Sequence, residues 1–139
     1  GGSENYWMEN IVEPLLSETK AFNSYLLFKG GKYIEPFIKS RLGGTEPMSL
    51  FPDDLNNSGE LKSSFKSFFK STRSYKPSNS IGFKGKIYLL VDDYVFSSAE
   101  AFAAFAKATG WATIVGTWTG GDGIGMDPAL FSLPTAGLL

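Results

Sequence analysis

Two adjacent serines, Ser97 and Ser98, stand between an apolar run and an alanine-rich segment, where a strand is predicted to end and a helix to begin. A serine hydroxyl at such a junction is raised toward solvent, and the first backbone N–H groups of the helix lie beside it. Those N–H groups and the positive end of the helix dipole stabilise an oxyanion. The arrangement suits a serine nucleophile, but serine is also a favoured helix N-cap. On residue types alone, both interpretations stay open.

The composition limits which group can activate such a serine. The 139 residues contain no histidine and no cysteine. A histidine-based triad, a histidine metal site, a thiolate nucleophile and a disulfide are therefore excluded within them. No cofactor and no metal are indicated, although binding through carboxylates alone stays open. If a serine here is catalytic, its base is another residue type or lies outside these residues.

Charge and hydropathy argue against two classes of partner. The chain has 13 basic and 14 acidic side chains and an isoelectric point near 5.4. Nucleic-acid-binding proteins usually carry a basic surface, so we expect no nucleic-acid partner. No apolar run approaches the ~20 residues of a membrane span, and no signal peptide opens the sequence. We therefore expect no transmembrane segment.

The elements that must position the serines are a strand before them and a helix after them. Residues 86–92 form a continuous apolar run, typical of a strand covered on both faces. Residues 98–109 predict a helix capped by Gly110, and residues 111–116 predict another strand. A final strand pair is predicted over residues 129–139. Strand, helix and strand of these lengths imply a parallel crossover, so the fold class is α/β.

The first part of the chain predicts a helix and a hairpin. Residues 4–17 combine an apolar stripe with an acidic face, typical of an amphipathic helix. Pro14 predicts that this helix ends or kinks near Val12. Residues 22–28 and 33–38 predict two short strands joined as a hairpin.

Residues 40–85 are predicted to be loop-rich, apart from one short basic amphipathic helix over residues 61–70. Asn57 and Glu60 predict a capping box at its start. Its basic side chains stand one turn apart: Lys62, Lys66 and Lys70. Such a helix either packs its phenylalanines on the domain or contacts a membrane surface or a partner, and packing is the simpler interpretation.

The segment around the two serines resembles a known peptidase family. The sequence reads Phe-Ser-Ser-Ala-Glu over residues 96–100, then an alanine-rich helix, then a strand that ends in Val115-Gly116 and a turn with Gly120-Gly121. This pattern is similar to the nucleophile region of the C-terminal processing, or tail-specific, serine peptidases, whose relatives include the tricorn-type proteases. The family pattern places a serine three residues before a glutamate, ahead of the helix.

The resemblance implies a fold and a domain organisation. The fold would be ClpP/crotonase-like, with strand-strand-helix repeats and a mostly parallel sheet. Residues 1–139 would be a partial peptidase catalytic domain, and residues 40–85 would be an insertion in it. By family analogy alone, an extracytoplasmic location is favoured. The oligomeric state is not indicated.

The resemblance also implies the roles of individual residues. Ser97 would be the nucleophile, and Ser98 would supply a backbone N–H to the oxyanion hole. Glu100 completes the motif, and its other interpretation is a first-turn acid favoured by the helix dipole. Gly1 and Gly2 resemble the end of the glycine turn that supplies the second oxyanion donor in the family. The alternative for these two glycines is a remnant of an expression tag.

The family's branches take the general base from different places. One branch uses a lysine that follows the nucleophile, but the matching position here is Asp122, and no lysine or arginine follows Lys107. An exposed aspartate has a pKa near ~3.9 and would be a poor base. The tricorn-type branch uses an upstream histidine and a distant carboxylate, which would both lie outside residues 1–139. We therefore expect the tricorn-type branch and a fragment that is inactive alone.

These observations predict a serine endopeptidase that acts on polypeptides through an acyl-enzyme on Ser97. The alternative is a non-catalytic module on the same fold that binds a ligand or a peptide. The aromatic content of 15% suits a binding module as well as it suits an ordinary core. The residues encoded before Gly1 would discriminate the two interpretations.

Overall fold

The computed structural model describes residues 4–56 and 59–121 and shows a mixed α/β protein. In chain order the elements are α1 (Glu4–Trp7), a π-helical turn (Met8–Val12), α2 (Glu13–Leu15), β1 (Lys20–Phe28), α3 (Glu35–Leu42), β2 (Glu46–Pro47), two 3-10 turns (Met48–Leu50 and Asp53–Leu55), α4 (Glu60–Ser64), β3 (Ser67–Tyr75), β4 (Tyr88–Val91), α5 (Ser98–Thr109) and β5 (Thr113–Gly116).

The described residues belong to two compact units. The first unit contains residues 4–22 and 72–121, and the second contains residues 23–56 and 59–71. Strands β1 and β3 cross the boundary along the chain. The serine motif lies wholly in the first unit.

The first helical segment changes its geometry just before Pro14. Met8–Val12 forms a π-helical turn, and the N–H of Glu13 bonds to the carbonyl of Met8, five residues back. Proline has no N–H to donate, and its ring clashes with the carbonyl four residues back in a regular helix. The wider turn accommodates this constraint. The predicted helix and its interruption near Val12 are confirmed, and the helix ends at Leu15.

The core of the first unit is built from aromatic rings of distant segments. The Trp7 and Phe105 side chains are buried, and the Trp7 ring stacks on Phe102 at a centroid distance of 5.0 Å. The Tyr75 ring meets Phe105 edge-on at 4.9 Å. Aromatic pairs of this kind contribute about 0.5–1.5 kcal/mol beyond their buried area. The packing fixes α5, and with it the turn that carries Ser97.

Strands β4 and β5 pair in parallel, and α5 connects them. The predicted strand, helix and strand are therefore confirmed, including Gly110 as the left-handed cap of α5 at φ 63°. The expectation that β4 is covered on both faces is wrong for the described residues. Val91 is buried, but Tyr88 and Leu90 on the opposite face are 59% and 75% exposed. The apolar run therefore does not indicate that both faces of β4 are buried.

Strand β2 of the second unit belongs to a three-stranded sheet in the order β1-β3-β2 and pairs with β3 antiparallel. The expectation of a mostly parallel sheet is therefore only partly correct. The core of this unit is formed by Met48, Phe51 and Phe68, all at most 5% exposed. The Phe51 and Phe68 rings meet edge-on at 5.3 Å.

The predicted hairpin is wrong in its second half. Residues 33–38 do not form a strand, because α3 begins at Glu35. Pro36 lies in the first turn of the helix, where its missing N–H is not needed, and Gly43 ends the helix at φ 73°. A proline near the start and a glycine after the end are helix signals that outweigh a short apolar run.

The predicted basic helix over residues 61–70 is correct only at its start, and the region 40–85, predicted to be loop-rich, also contains strands β2 and β3. Helix α4 ends at Ser64, and β3 begins at Ser67. Packing decides this, because Phe68 must reach the core of the second unit, and strand alternation places it there. The predicted cap Asn57 lies outside the described residues, but Asn56 Oδ1 accepts the Lys62 N–H at 2.9 Å. The lysines do not share a helical face, so the membrane-contact alternative loses its geometric basis.

Candidate active site

The turn between β4 and α5 holds Ser97 in an unusual backbone conformation. Ser97 has φ 56° and ψ −127° and precedes the first residue of α5. Among the described non-glycine residues, only Asn79 also has a positive φ. Asparagine tolerates the left-handed region, whereas serine at this ψ lies outside the regions open to side chains. Such strain is worth about 1–3 kcal/mol and persists only where the surroundings enforce it.

The loop after β5 supplies that enforcement through the backbone. Ser97 donates its N–H to the Gly121 carbonyl at 3.3 Å, and Gly120 donates to the Val95 carbonyl at 2.8 Å. Phe96 and Gly121 form an isolated parallel bridge. The loop thus extends the parallel pairing of β4 and β5 along the turn. Both sides of Ser97 are held, one by this loop and the other by α5.

Two glycines permit this close approach. A Cβ on Gly116 would lie 1.8 Å from the Val91 carbonyl oxygen, and Gly116 has φ 139°. A Cβ on Gly120 would lie 2.6 Å from the Asp93 carbonyl oxygen. Thr117, which follows Gly116, donates its N–H to the Val91 carbonyl at 3.1 Å. The Val-Gly and Gly-Gly parts of the sequence motif therefore have a steric cause.

The first turn of α5 presents free donors beside Ser97. Ala101 makes the first helical hydrogen bond, to the Ser97 carbonyl at 3.0 Å. The N–H groups of residues 98–100 have no acceptor within the described part of the chain. The half-buried Ser97 does not cap the helix with its hydroxyl. The capping interpretation therefore lacks its hydrogen bond, and the hydroxyl and the donors stay available.

The side chain of Ser98 has a different environment. Its Oγ accepts a hydrogen bond from Trp7 Nε1 at 3.2 Å. The Ser98 hydroxyl thus contacts the core, whereas the Ser98 backbone N–H lies at the start of α5. Sequence reasoning missed Trp7 as its partner, and no local signal was available because 91 positions separate the two residues.

Glu100 lies one turn along α5. Its Oε2 is buried, and none of the described residues donates a hydrogen bond to it. Within the same residues, no side chain bonds to the Ser97 hydroxyl, so no base is visible there. Gly1, Gly2 and Asp122 lie outside the described residues, and their predicted roles remain predictions.

Residues 4–56 and 59–121 hold no group of three acidic side chains placed to bind a metal ion. The helices described there are too short or too polar to cross a membrane.

Comparison with known proteins identifies the family. The model of peptidase family S41 matches residues 17–136, which is most of the chain and includes the whole turn from β4 to β5. The chain belongs to peptidase family S41. This confirms the resemblance to the C-terminal processing peptidases and assigns the chain to a class of hydrolases that act on polypeptides. Neither a curated protein nor a solved structure matches this S41 chain.

Proposed function

We propose that this S41 chain carries the nucleophile of a serine peptidase and that the nucleophile is Ser97. The conformation of Ser97, at φ 56° and ψ −127°, is the observation that supports this most. A sharp, strained turn from strand to helix exposes the nucleophilic oxygen in other hydrolases. A helix cap needs no such strain, since serine caps helices from the ordinary extended region.

The reaction would proceed in two stages. Ser97 Oγ attacks the carbonyl carbon of the scissile peptide, the C–N bond breaks, and the amine leaves with a proton. Water then attacks the acyl ester and releases the acid and the free serine. The backbone N–H of Ser98 donates to the oxyanion, and Gly1 or Gly2 provides the second donor. The loss of one such donor lowers turnover by about 10²–10³-fold.

The proposed reaction also needs a general base. The chain has no histidine, and it has no lysine or arginine after Lys107. We therefore place the base outside residues 1–139, as in the tricorn-type branch that the sequence resembles. On this proposal the 139 residues are part of a catalytic domain with a ClpP/crotonase-like fold, in which residues 40–85 are an insertion.

A fluorophosphonate probe tests the assignment of Ser97. The protein that carries this chain is treated with the probe, and the labelled peptide is identified by mass spectrometry. We expect the label on Ser97 and its loss in Ser97→Ala. Ser78→Ala is the matched control, because Ser78 is an exposed serine of the same unit. Equal labelling of Ser97→Ala would exclude Ser97, and no labelling of the wild type would favour the non-catalytic binding module.

A further inference from the structure

The indole of Trp7 makes a hydrogen bond that reaches the start of α5. Trp7 Nε1 donates to Ser98 Oγ at 3.2 Å, and 91 positions of sequence separate the two residues. An indole N–H can only donate, so the chemistry of the two groups fixes the direction of this bond. The Trp7 side chain is buried, so water has little access to replace Ser98 as the acceptor. The bond joins the first helical segment of the chain to the helix that follows Ser97.

The Trp7 ring is itself held in place by the aromatic core. It stacks on Phe102 at 5.0 Å, and its centroid lies 5.7 Å from that of Tyr75 and 5.8 Å from that of Phe105. Side chains in a close-packed interior keep one rotamer on average. The core therefore sets the position of the indole N–H, and Ser98 receives a donor whose place is fixed.

The acceptor belongs to the residue whose backbone N–H is the proposed oxyanion donor. The peptide group between Ser97 and Ser98 carries the Ser97 carbonyl on one side and the Ser98 N–H on the other. The Ala101 N–H holds the carbonyl at 3.0 Å, and Trp7 holds the Ser98 side chain. The Ser98 N–H is therefore oriented from both ends. It makes no hydrogen bond within the described part of the chain, so it is available to an oxyanion.

Trp7 also lies close along the chain to the second predicted donor. Helix α1 runs from Glu4 to Trp7, and Gly1 and Gly2 precede it in the sequence. Two steps of about 3.8 Å join the Cα atoms of Gly2 and Glu4, and three helical steps of about 1.5 Å lead on to Trp7. The hydrogen bond of Trp7 therefore links the two segments that carry the two predicted oxyanion donors.

We propose that Trp7 is a positioning residue for the oxyanion hole. Its indole N–H holds the Ser98 hydroxyl and thereby directs the Ser98 N–H at the oxyanion that forms when Ser97 attacks. This inference rests on the proposed peptidase function and adds a residue that does not touch the substrate. Donors stabilise an oxyanion most when they are in place before the charge develops, so a donor that is free to turn away stabilises it less.

Fluorophosphonate labelling of the protein that carries this chain tests the proposal. Ser97 Oγ displaces fluoride from the probe, and the phosphoryl oxygen takes the place of the oxyanion. The dependence of the labelling rate on probe concentration gives a maximal rate constant and a concentration of half-maximal rate. Loss of an interaction made only in the transition state lowers the first, whereas loss of probe binding raises the second.

Two substitutions break the bond from opposite sides. Trp7→Phe removes the indole N–H and keeps an aromatic ring, and Ser98→Ala removes the acceptor and keeps the backbone N–H. We expect each to lower the maximal rate constant by roughly ten- to hundredfold, because a misplacement of about 1 Å can cost about 10²-fold. The double variant should match the slower single variant to within about twofold, because both changes remove the same bond.

Trp111→Phe is the matched control. The Trp111 ring packs near Phe102 and Phe105 at 5.7 and 5.9 Å, as the Trp7 ring does, but its Nε1 has no hydrogen-bond partner among the described residues. This variant removes an indole from the same core without breaking a bond, so its maximal rate constant should stay within about twofold of the wild type. Circular dichroism checks the folding of each variant. If Trp7→Phe does not fold, Ser98→Ala tests the bond by the loss of a single oxygen.

The outcomes distinguish the two proposals. An unchanged maximal rate constant in Ser98→Ala overturns the positioning role and leaves the peptidase proposal in place. Effects that multiply in the double variant, or an equal loss in Trp111→Phe, do the same. Absence of label on Ser97 in the wild type overturns the peptidase proposal, and the role of Trp7 falls with it.

Discussion

Ser97 and Ser98 are adjacent, yet the structure gives their hydroxyls different environments. Ser98 Oγ accepts from the Trp7 indole and so contributes to the core of the first unit. The Ser97 hydroxyl has no such partner among the described residues, and its backbone is strained. A serine that served only to cap α5 would show the reverse, with a relaxed backbone and a bonded hydroxyl. The contrast is the residue-level argument for Ser97 as the nucleophile.

The strain at Ser97 predicts an unusual order of stabilities. Ser97→Gly should be about 1 kcal/mol more stable than Ser97→Ala, because glycine relieves strain of about 1–3 kcal/mol and loses part of this gain through the greater freedom of the unfolded chain. Urea unfolding of the two variants measures the difference. The same pair of changes at Ser78, whose φ is negative, should favour alanine. If Ser97→Ala proves as stable as Ser97→Gly, the turn is not strained.

Strand β4, the turn after it and the loop after β5 together keep Ser97 in its strained backbone conformation. Strand β4 brings the chain to the turn, and α5 fixes the residues that follow. The loop after β5 then bonds along the turn through Gly120 and Gly121. Because the contact is between backbones, it depends on the absence of side chains at particular glycines.

The loop therefore predicts unequal effects of two glycine substitutions. Gly116→Ala should lower the free energy of unfolding by about 2–4 kcal/mol, because its Cβ would overlap the Val91 carbonyl and its φ is unfavourable for alanine. Gly110→Ala is the matched control: it also has a positive φ, but no atom lies within 4 Å of its Cβ position. Its cost should be about 1–2 kcal/mol. Equal losses in the two variants would show that the close approach contributes nothing.

Which elements could be predicted depends on where their causes lie. Helix α5 and its cap at Gly110 follow from local signals, as does the change of geometry before Pro14. The strand that starts at Ser67 was missed because distant packing of Phe68 decides it. Exposure of Leu90 was missed because an apolar run does not reveal what lies over it.

In the candidate site, too, features with local causes could be predicted and features with distant causes could not. The motif located Ser97 at the junction, since the residue types and their spacing are local. Its φ and the hydrogen bonds that enforce it involve Gly120 and Gly121, and only the fold brings these together with Ser97. The contact between Trp7 and Ser98 also depends on tertiary structure.

At the level of the whole protein, the amino-acid composition limits where the general base can come from. None of the 139 residues is a histidine, so a base that is an imidazole must come from elsewhere. The rate of fluorophosphonate labelling at Ser97 as a function of pH tests this. An imidazole accepts a proton only when it is neutral, so the rate should rise through a single inflection near a pKa of about 6.5.

The 139-residue chain alone provides the matched comparison for this dependence of the labelling rate on pH. Without the base, labelling of Ser97 should be about 10²–10⁴-fold slower and should lack the inflection, since this is the usual contribution of general base catalysis. Circular dichroism of the chain alone shows that any loss is not a loss of folding. If the chain alone reacts as fast as the protein that carries it, with the same inflection, a residue within the chain serves as the base. Asp122 would then be the first position to change, because it stands where one branch of the family has its lysine.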